Sequence, residues 1–307
     1  MSMKLIFQQI LIIFGYVAIG VGAGRLGVID PDQRKYLTKL CSSLILPFTI
    51  LSAADMNLGT EGFFSLGIAL IVMFLVFGAT MAGSLLMCRL FHVEEKCRTA
   101  ITGLATFPNC VFLGLPLCQA LFGGIAVLYS CAAVIVFNVL FFAVQMPMFT
   151  GGKIHLKAIF TVPMFATLSL TAMLALGIHW PAPVQTVFSS VGSMITPLSL
   201  IIIGVMMTEN DLLALFREKT VYLVLALRNF LIPLLSIPIL MAVPMGYQDK
   251  LCVLVYLACP CAAMTTIYAI QTDTCPEMCA RSVLFSTIFF AVSLPVVIMA
   301  GQFLFGV

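Results

Sequence analysis

Charged residues are scarce in this 307-residue sequence. Asp, Glu, Lys and Arg make up 9% of it, whereas 62% is hydrophobic and the mean hydropathy is +1.16. A soluble domain carries roughly a quarter charged residues and could not bury so much apolar surface, whereas a bilayer removes the need to. The sequence therefore predicts an integral membrane protein. Its net charge is only +3 and its basic residues are scattered, so no nucleic acid partner is predicted.

Residues that could carry catalysis or bind metal are also few. The three histidines, His92, His155 and His179, fall in predicted loops, and the sequence has no paired intramembrane Asp, no Ser–His pair and no His-Glu-x-x-His. Cys275 and Cys279 share a short polar loop without a histidine or a second cysteine pair, which is too few ligands for a metal site. The sequence thus predicts no enzyme, metal site or cofactor. Most of the eleven cysteines lie in apolar stretches, and no disulfide framework is predicted.

Long apolar stretches recur along the whole chain. A membrane-spanning helix needs roughly 20 mostly apolar residues, and ten stretches meet this requirement. They cover residues 5–24, 36–54, 63–87, 97–120, 125–149, 158–177, 186–207, 220–242, 250–271 and 281–303. The polar breaks between them are short, so no soluble domain is predicted and the chain is expected to lie in the lipid bilayer as a multi-pass, all-α protein.

Lysine and arginine are distributed unequally between the predicted loops. With ten spans, twelve of these residues fall on one side and two on the other, while Arg228 lies inside span 8. Cytoplasmic loops carry the excess of positive charge. This predicts a protein of the cell membrane with both termini outside the cytoplasm.

The two halves of the sequence resemble each other. Pro108 interrupts span 4 and Pro260 interrupts span 9, 152 residues later, and a proline-centred segment of span 2 recurs in span 7. A repeat of five spans must be inverted, because an odd number of crossings turns the second copy over. Inverted repeats with broken helices at matching positions are typical of secondary transporters. The sequence predicts repeats at 1–150 and 151–307.

Span 4 contains the strongest signal for a site. Pro108, Gly114 and Pro116 lie within nine residues and should break the helix. The half-helix after such a break offers free N–H groups and a positive dipole end to an anion. We expect the breaks of spans 4 and 9 to cross near the midplane and form the substrate site, although prolines that merely kink packed helices are the alternative. The residues assigned to the site are Pro108, Asn109, Cys110, Gly114, Asn138, Arg228, Pro260, Cys261 and Thr265.

Arg228 and Asn138 each permit two interpretations. A cation inside a span should face the protein interior or a cavity, so Arg228 could balance an anionic substrate or a carboxylate, or else lie near an interface and extend to water. Asn138 could line a path or form an interhelical hydrogen bond. No span contains an obvious Asp or Glu, which argues against a dedicated Na⁺ or H⁺ site.

Several segments carry a family resemblance. Span 4 from Pro108 to Pro116, followed by Leu121-Phe122-Gly123, resembles the Asn-containing crossover motif of the auxin efflux carrier family, to which plant auxin exporters and bacterial carriers belong. The resemblance extends over the whole chain. It implies a 5+5 inverted repeat, a scaffold of spans 1, 2, 6 and 7 that forms a homodimer, and an elevator motion of the remainder.

The resemblance also implies a function. In this family the asparagine of the span 4 motif contacts the substrate carboxylate, and here that residue is Asn109. The loop at 151–157 is short, which is typical of bacterial members, so an auxin-like acid and a malate- or malonate-like acid both fit. We therefore expect a secondary transporter that exports a small organic anion. The alternative is a Na⁺- or H⁺-coupled symporter of the bile-acid and dicarboxylate type.

Overall fold

The computed structural model describes residues 3–56, 59–152, 156–208 and 219–306, and almost all of these ranges are helical. The predicted all-α membrane fold is therefore consistent with the structure. Lys153 and Arg217, two of the twelve basic residues used to orient the chain, lie outside the described residues.

The described residues from Met3 to Ile159 contain nine helices. They are α1 (Met3–Arg25), α2 (Pro31–Leu40), α3 (Leu46–Leu51), α4 (Gly59–Leu90), α5 (Glu95–Thr106), α6 (Leu115–Phe122), α7 (Ile125–Leu140), α8 (Met146–Thr150) and α9 (Leu156–Ile159). Single π-helical turns at Cys41–Ile45, Cys110–Gly114 and Phe141–Gln145 precede α3, α6 and α8, each of which has a proline in its first turn. Such turns often mark functional sites.

The described residues after Ile159 contain eight more helices. They are α10 (Val162–Leu176), α11 (Ala182–Gly192), α12 (Ile195–Thr208), α13 (Lys219–Leu225), α14 (Ile232–Ala242), α15 (Tyr247–Ala258), α16 (Ala263–Gln271) and α17 (Pro276–Leu304). A further π-helical turn, Ala226–Leu231, joins α13 to α14 and contains Arg228.

Seven helical segments of the described chain are long and apolar enough to cross a membrane. Three predicted spans fall outside this set for visible reasons. The stretches 97–120 and 250–271 are each divided into two shorter helices, and 158–177 corresponds to α10, which has 15 residues. Ten complete crossings therefore stay a prediction.

The chain divides into two compact units that each draw on both halves of the sequence. Unit 1 comprises Met1–Leu66, Val111–Ile135 and Phe160–Asn210, and unit 2 comprises Gly67–Cys110, Val136–Ile159 and Asp211–Val307. The sequence repeats predicted at 1–150 and 151–307 thus differ from the packing units, because helices from opposite halves pack together.

Close backbone contact holds α1 against α12 in unit 1. A Cβ added to Gly20 would overlap the backbone carbonyl of Ile201, and one added to Gly204 would overlap the carbonyl of Val17. Small residues allow helix backbones to approach this closely in membranes. Elsewhere in unit 1, the Trp180 indole N–H donates to the Leu51 carbonyl at 3.0 Å.

Aromatic rings and one disulfide consolidate unit 2. Phe107 makes edge contacts with Phe77, Phe137 and Phe141 at centroid distances of 5.0–6.1 Å, a geometry that aromatic pairs favour. Unit 2 also contains a disulfide between Cys97 and Cys275.

The expectation of no disulfides is therefore wrong at one pair. Cys97 and Cys275 are separated by 178 residues, and only folding brings the first turn of α5 beside the turn before α17. The neighbouring side chains Lys96 and Asp273 form an ion pair at 2.9 Å across the same two segments. No feature of the sequence predicted that these two turns would be neighbours.

Candidate functional site

Two broken helices cross in unit 2. Helix α5 ends at Thr106 and α15 ends at Ala258, and in both cases a proline follows within two residues. Proline lacks an N–H and disfavours the helical conformation of the preceding residue, so both chains become extended here. The two extended segments pair with each other through an antiparallel bridge between Pro108 and Cys261. The Asn109 N–H donates to the Pro260 carbonyl at 2.7 Å, and the Ala262 N–H donates to the Phe107 carbonyl at 2.9 Å.

We call this place the crossover, defined by residues 107–110 and 259–262. The structure thus brings together Pro108, Asn109, Pro260 and Cys261, which the sequence assigned to one site from opposite halves of the chain. Residues 107, 108 and 110 are buried, whereas Asn109 is partly exposed. Among the first-half crossover residues, Asn109 is consequently the one whose side chain a solute could reach.

The Arg228 side chain is completely buried against the crossover. Its Nε donates to the Cys259 carbonyl at 2.8 Å, and its Nη1 donates to the carbonyls of Ala105 and Thr106 at 3.1 and 3.3 Å. Its Nη2 donates to the Leu257 carbonyl. Four backbone carbonyls at the ends of α5 and α15 therefore surround one guanidinium.

This arrangement gives Arg228 an electrostatic role within the protein. The last carbonyls of a helix lack intrahelical partners and carry a partial negative charge, and the guanidinium satisfies those of two helices at once. Because all three guanidinium nitrogens donate to these buried carbonyls, Arg228 does not extend to a membrane interface. Within the described chain it forms no ion pair with Asp or Glu. Direct contact with substrate stays a prediction.

Asn229 and Ser286 connect the π-helical turn and the crossover to α17. The Asn229 amide donates to the Ser286 carbonyl at 2.9 Å and to the Ser293 hydroxyl at 3.1 Å, which ties the π-helical turn to α17. The Ser286 hydroxyl in turn accepts from the Cys261 N–H at 3.1 Å. Helix α17 therefore fixes the second-half chain of the crossover.

A polar seam lines the face of α5 that leads to the crossover. It consists of Thr102, Gly103 and Thr106 of α5, together with Gln145 and Thr265. A Cβ on Gly103 would lie 2.8 Å from Thr265 Cγ2 and 2.9 Å from Gln145 Nε2, so the glycine allows both side chains to approach.

The seam contains buried oxygens without partners. Gln145 Nε2 donates to the Thr99 carbonyl at 2.8 Å, which leaves Gln145 Oε1 unpaired. The hydroxyls of Thr102, Thr106 and Thr265 also lack a partner within the described chain, although all three residues are fully buried. Buried polar groups are usually satisfied, and those that are not require an explanation. A bound polar solute would provide one.

Helix α16 begins directly after the crossover. Its N-cap residue, Ala262, has no side chain able to cap, and no side-chain hydrogen bond caps the first turn. The first N–H groups of a helix lack intrahelical partners and favour an anion. Thr265, in that first turn, contributes a buried hydroxyl without a partner to the same place.

The remaining predicted site residues are Cys110, which belongs to the crossover, and Asn138 and Gly114, which lie outside it. Cys110 is buried, and its N–H bonds to the Pro108 carbonyl at 2.9 Å. Asn138 is buried in the last turn of α7, in the part of that helix that belongs to unit 2. Gly114 belongs to unit 1, and therefore is not grouped here with the other residues.

Sequence reasoning missed Gln145, Thr102 and Thr106. The threonines carried a usable signal, because Thr99, Thr102 and Thr106 share one helix face at spacings of three and four residues. Gln145 had a weaker one: a polar side chain in an apolar span, two residues before a proline.

Comparisons with known proteins identify the family of this chain. No group of metal-binding side chains occurs in the described residues. No curated protein matches the sequence. A family model described as "Membrane transport protein" matches residues 5–158 and 143–298, nearly the whole chain. The protein therefore belongs to the auxin efflux carrier-like family of membrane transport proteins.

Proposed function

We propose that this membrane transporter carries a small organic anion, bound at the crossover through its carboxylate. The observation that carries the proposal is the uncapped start of α16 beside the buried, unpaired hydroxyl of Thr265. Asn109, the partly exposed residue of the crossover, adds an amide. Hydroxyl, amide and backbone N–H donors together match the acceptor oxygens of a carboxylate.

The charges near the crossover favour an anion. Each helix end carries about half an elementary charge, positive at the N-terminus and negative at the C-terminus. The ends of α5 and α15 together contribute about −1, and the Arg228 guanidinium offsets them. What remains is the positive start of α16, about half an elementary charge, which favours an anionic head group.

Unit composition supports an elevator mechanism. Predicted spans 1, 2 and 7 and nearly all of span 6, which form the scaffold in the related family, fall in unit 1. Unit 1 also takes residues 111–135 of spans 4 and 5, whereas the crossover falls in unit 2. We propose that unit 1 anchors the protein in the bilayer and pairs with a second copy, and that unit 2 moves with the substrate. The ten-span, inverted-repeat topology is part of this proposal.

The proposed location is the cell membrane with both termini outside the cytoplasm, as the distribution of basic residues indicates. An inside-negative potential drives an anion outward by about 2.3 kcal/mol per charge per 100 mV, so export needs no coupling ion. The same orientation places the Cys97–Cys275 disulfide at the cytoplasmic side. Disulfides rarely persist there, so this orientation predicts that the two neighbouring thiols are reduced in the cell.

The substrate class is a small carboxylic acid, with auxin-like and malate- or malonate-like acids as the first candidates. The alternative, a Na⁺- or H⁺-coupled symporter of organic acids, gains little support because the crossover contains no Asp or Glu among the described residues. Sodium-dependent uptake would be its signature.

Thermal stabilisation of purified protein by a panel of carboxylates tests the proposal. We expect one acid class to raise the melting temperature of wild type, and Asn109→Ala to abolish the rise. Gln185→Ala is the control, because Gln185 places its amide against the Ser52 carbonyl in unit 1.

Stabilisation that survives in Asn109→Ala would move the site away from the crossover. If no carboxylate stabilises wild type, organic anion transport is not the function of this chain.

A further inference from the structure

Arg228 occupies a position in unit 2 that would otherwise attract a free cation. The carbonyls of Ala105 and Thr106 end one half-helix, and those of Leu257 and Cys259 end the other. Converging carbonyl oxygens at the C-terminal ends of broken helices are the groups that coordinate coupling ions in transporters. Here those four oxygens already accept hydrogen bonds from all three guanidinium nitrogens.

We infer that Arg228 is a tethered cation that replaces a mobile coupling ion at the crossover. The inference rests on the proposed function, in which the crossover carries the substrate. It assigns this carrier a cycle in which neither Na⁺ nor K⁺ binds there, because a permanent positive charge already neutralises the two helix ends.

The surroundings of Arg228 fit a charge that stays in place. The side chain has no exposed surface, and in the described residues no carboxylate pairs with it. The adjacent Asn229 is anchored to Ser286 and Ser293, which holds the π-helical turn against α17. A guanidinium remains charged at any physiological pH. The charge is thus independent of both the ionic composition and the pH of the medium.

The first test compares wild type with Arg228→Ala in Na⁺, K⁺, guanidinium and choline chlorides of equal concentration. We expect the melting temperature of wild type to be the same in Na⁺, K⁺ and choline. Arg228→Ala should melt lower in choline, and guanidinium or an alkali cation should restore part of the loss, because four carbonyls then lack their partner. Arg98→Ala is the matched control: Arg98 also donates to a backbone carbonyl of unit 2, that of Val93, but away from the crossover.

The second test measures carboxylate uptake into proteoliposomes in the same salts. We expect wild type to take up the carboxylate equally in Na⁺, K⁺ and choline. If Arg228 had only a structural role, it would not make uptake independent of these ions. Arg228→Lys keeps the charge and should keep this independence.

Three results would overturn the inference. One is specific stabilisation of wild type by Na⁺ or K⁺, and another is uptake that requires either ion. The third is an Arg228→Ala protein that responds to none of the cations or cannot be recovered folded in any of them, since a free cation then cannot fill the position. The melting experiment needs no substrate, so it remains decisive even if the carboxylate panel fails.

Discussion

The α1–α12 contact of unit 1 and the crossover of unit 2 hold helices together in opposite ways. At the first, two glycines bring backbones into contact, and the contact leaves no room for a side chain. At the second, a buried guanidinium, amides and hydroxyls bind backbone groups that the broken helices leave free. Both solve the same problem, since burying apolar surface gives little net gain between helices that already lie in lipid.

The difference shows where change can occur. A contact made by shape alone has one stable arrangement, whereas a polar region with unpaired oxygens can accept a solute and release it. We therefore expect added volume to destabilise unit 1, and the loss of a polar group there to have little effect. At the seam of unit 2, we expect the loss of a polar group to weaken substrate binding.

The largest expected effect is a loss of stability in unit 1. Gly20→Ala places a methyl group against the Ile201 carbonyl, and the helices must separate. We expect the free energy of unfolding to fall by about 3 kcal/mol, the upper end for overpacking. Thermal melting in detergent measures this.

Gly22→Ala is the matched control, because it lies on the same helix and a Cβ there meets nothing within 4 Å. It should leave stability unchanged or raise it by up to about 1 kcal/mol, since alanine favours the helix. Equal melting of the two variants would contradict the close contact of α1 and α12.

A smaller effect is expected in binding at the seam. Thr265→Val removes an unpaired hydroxyl at nearly constant shape. Stability should stay the same or rise, because an unsatisfied buried group is lost, while carboxylate affinity should fall about tenfold through a lost charge-assisted hydrogen bond of about 1.5 kcal/mol. Titration calorimetry with the best acid of the panel measures the affinity.

Thr167→Val provides the comparison in unit 1, where the threonine is also fully buried. Its affinity for the acid should equal that of wild type. A similar loss of affinity in both variants would show that the seam has no special part in binding.

The smallest effect concerns the ion pair beside the disulfide. Lys96→Ala breaks the contact with Asp273, but the two side chains are 53% and 84% exposed. Exposed pairs contribute about 0–1 kcal/mol, so the melting temperature should change by less than in Gly20→Ala. A larger loss would mean that this pair, and not the disulfide alone, fixes the start of α5.

Much of the crossover was predictable from sequence because proline acts locally. Pro108 and Pro260 each end a helix whatever the rest of the fold does, and their matching positions in two halves indicated that the breaks would meet. The membrane class was also predictable, because it depends only on the composition of the whole chain.

The remainder depends on contacts between distant segments. Pairing of Cys97 with Cys275 and the approach of Gln145 to Thr265 arise from helix packing, and neither leaves a periodic trace in the sequence. The four acceptors around Arg228 are backbone carbonyls, which every residue has. The sequence therefore showed a cation inside a span but could not show which groups bind it. The packing units interleave both halves, a division that the two sequence repeats did not indicate and that only the family resemblance implied.

The disulfide also restricts how often the chain can cross the bilayer. Its two Cα atoms are 5.7 Å apart, against about 30 Å for the hydrocarbon core, so Cys97 and Cys275 lie on one face of the membrane. The chain between them must then cross an even number of times. Three of the long apolar segments lie in that interval, Ile125–Thr150, Ala182–Thr208 and Thr220–Ala242. Three is odd, and parity requires a further odd number of crossings from the interrupted and shorter helices, such as the three that the ten-span topology supplies.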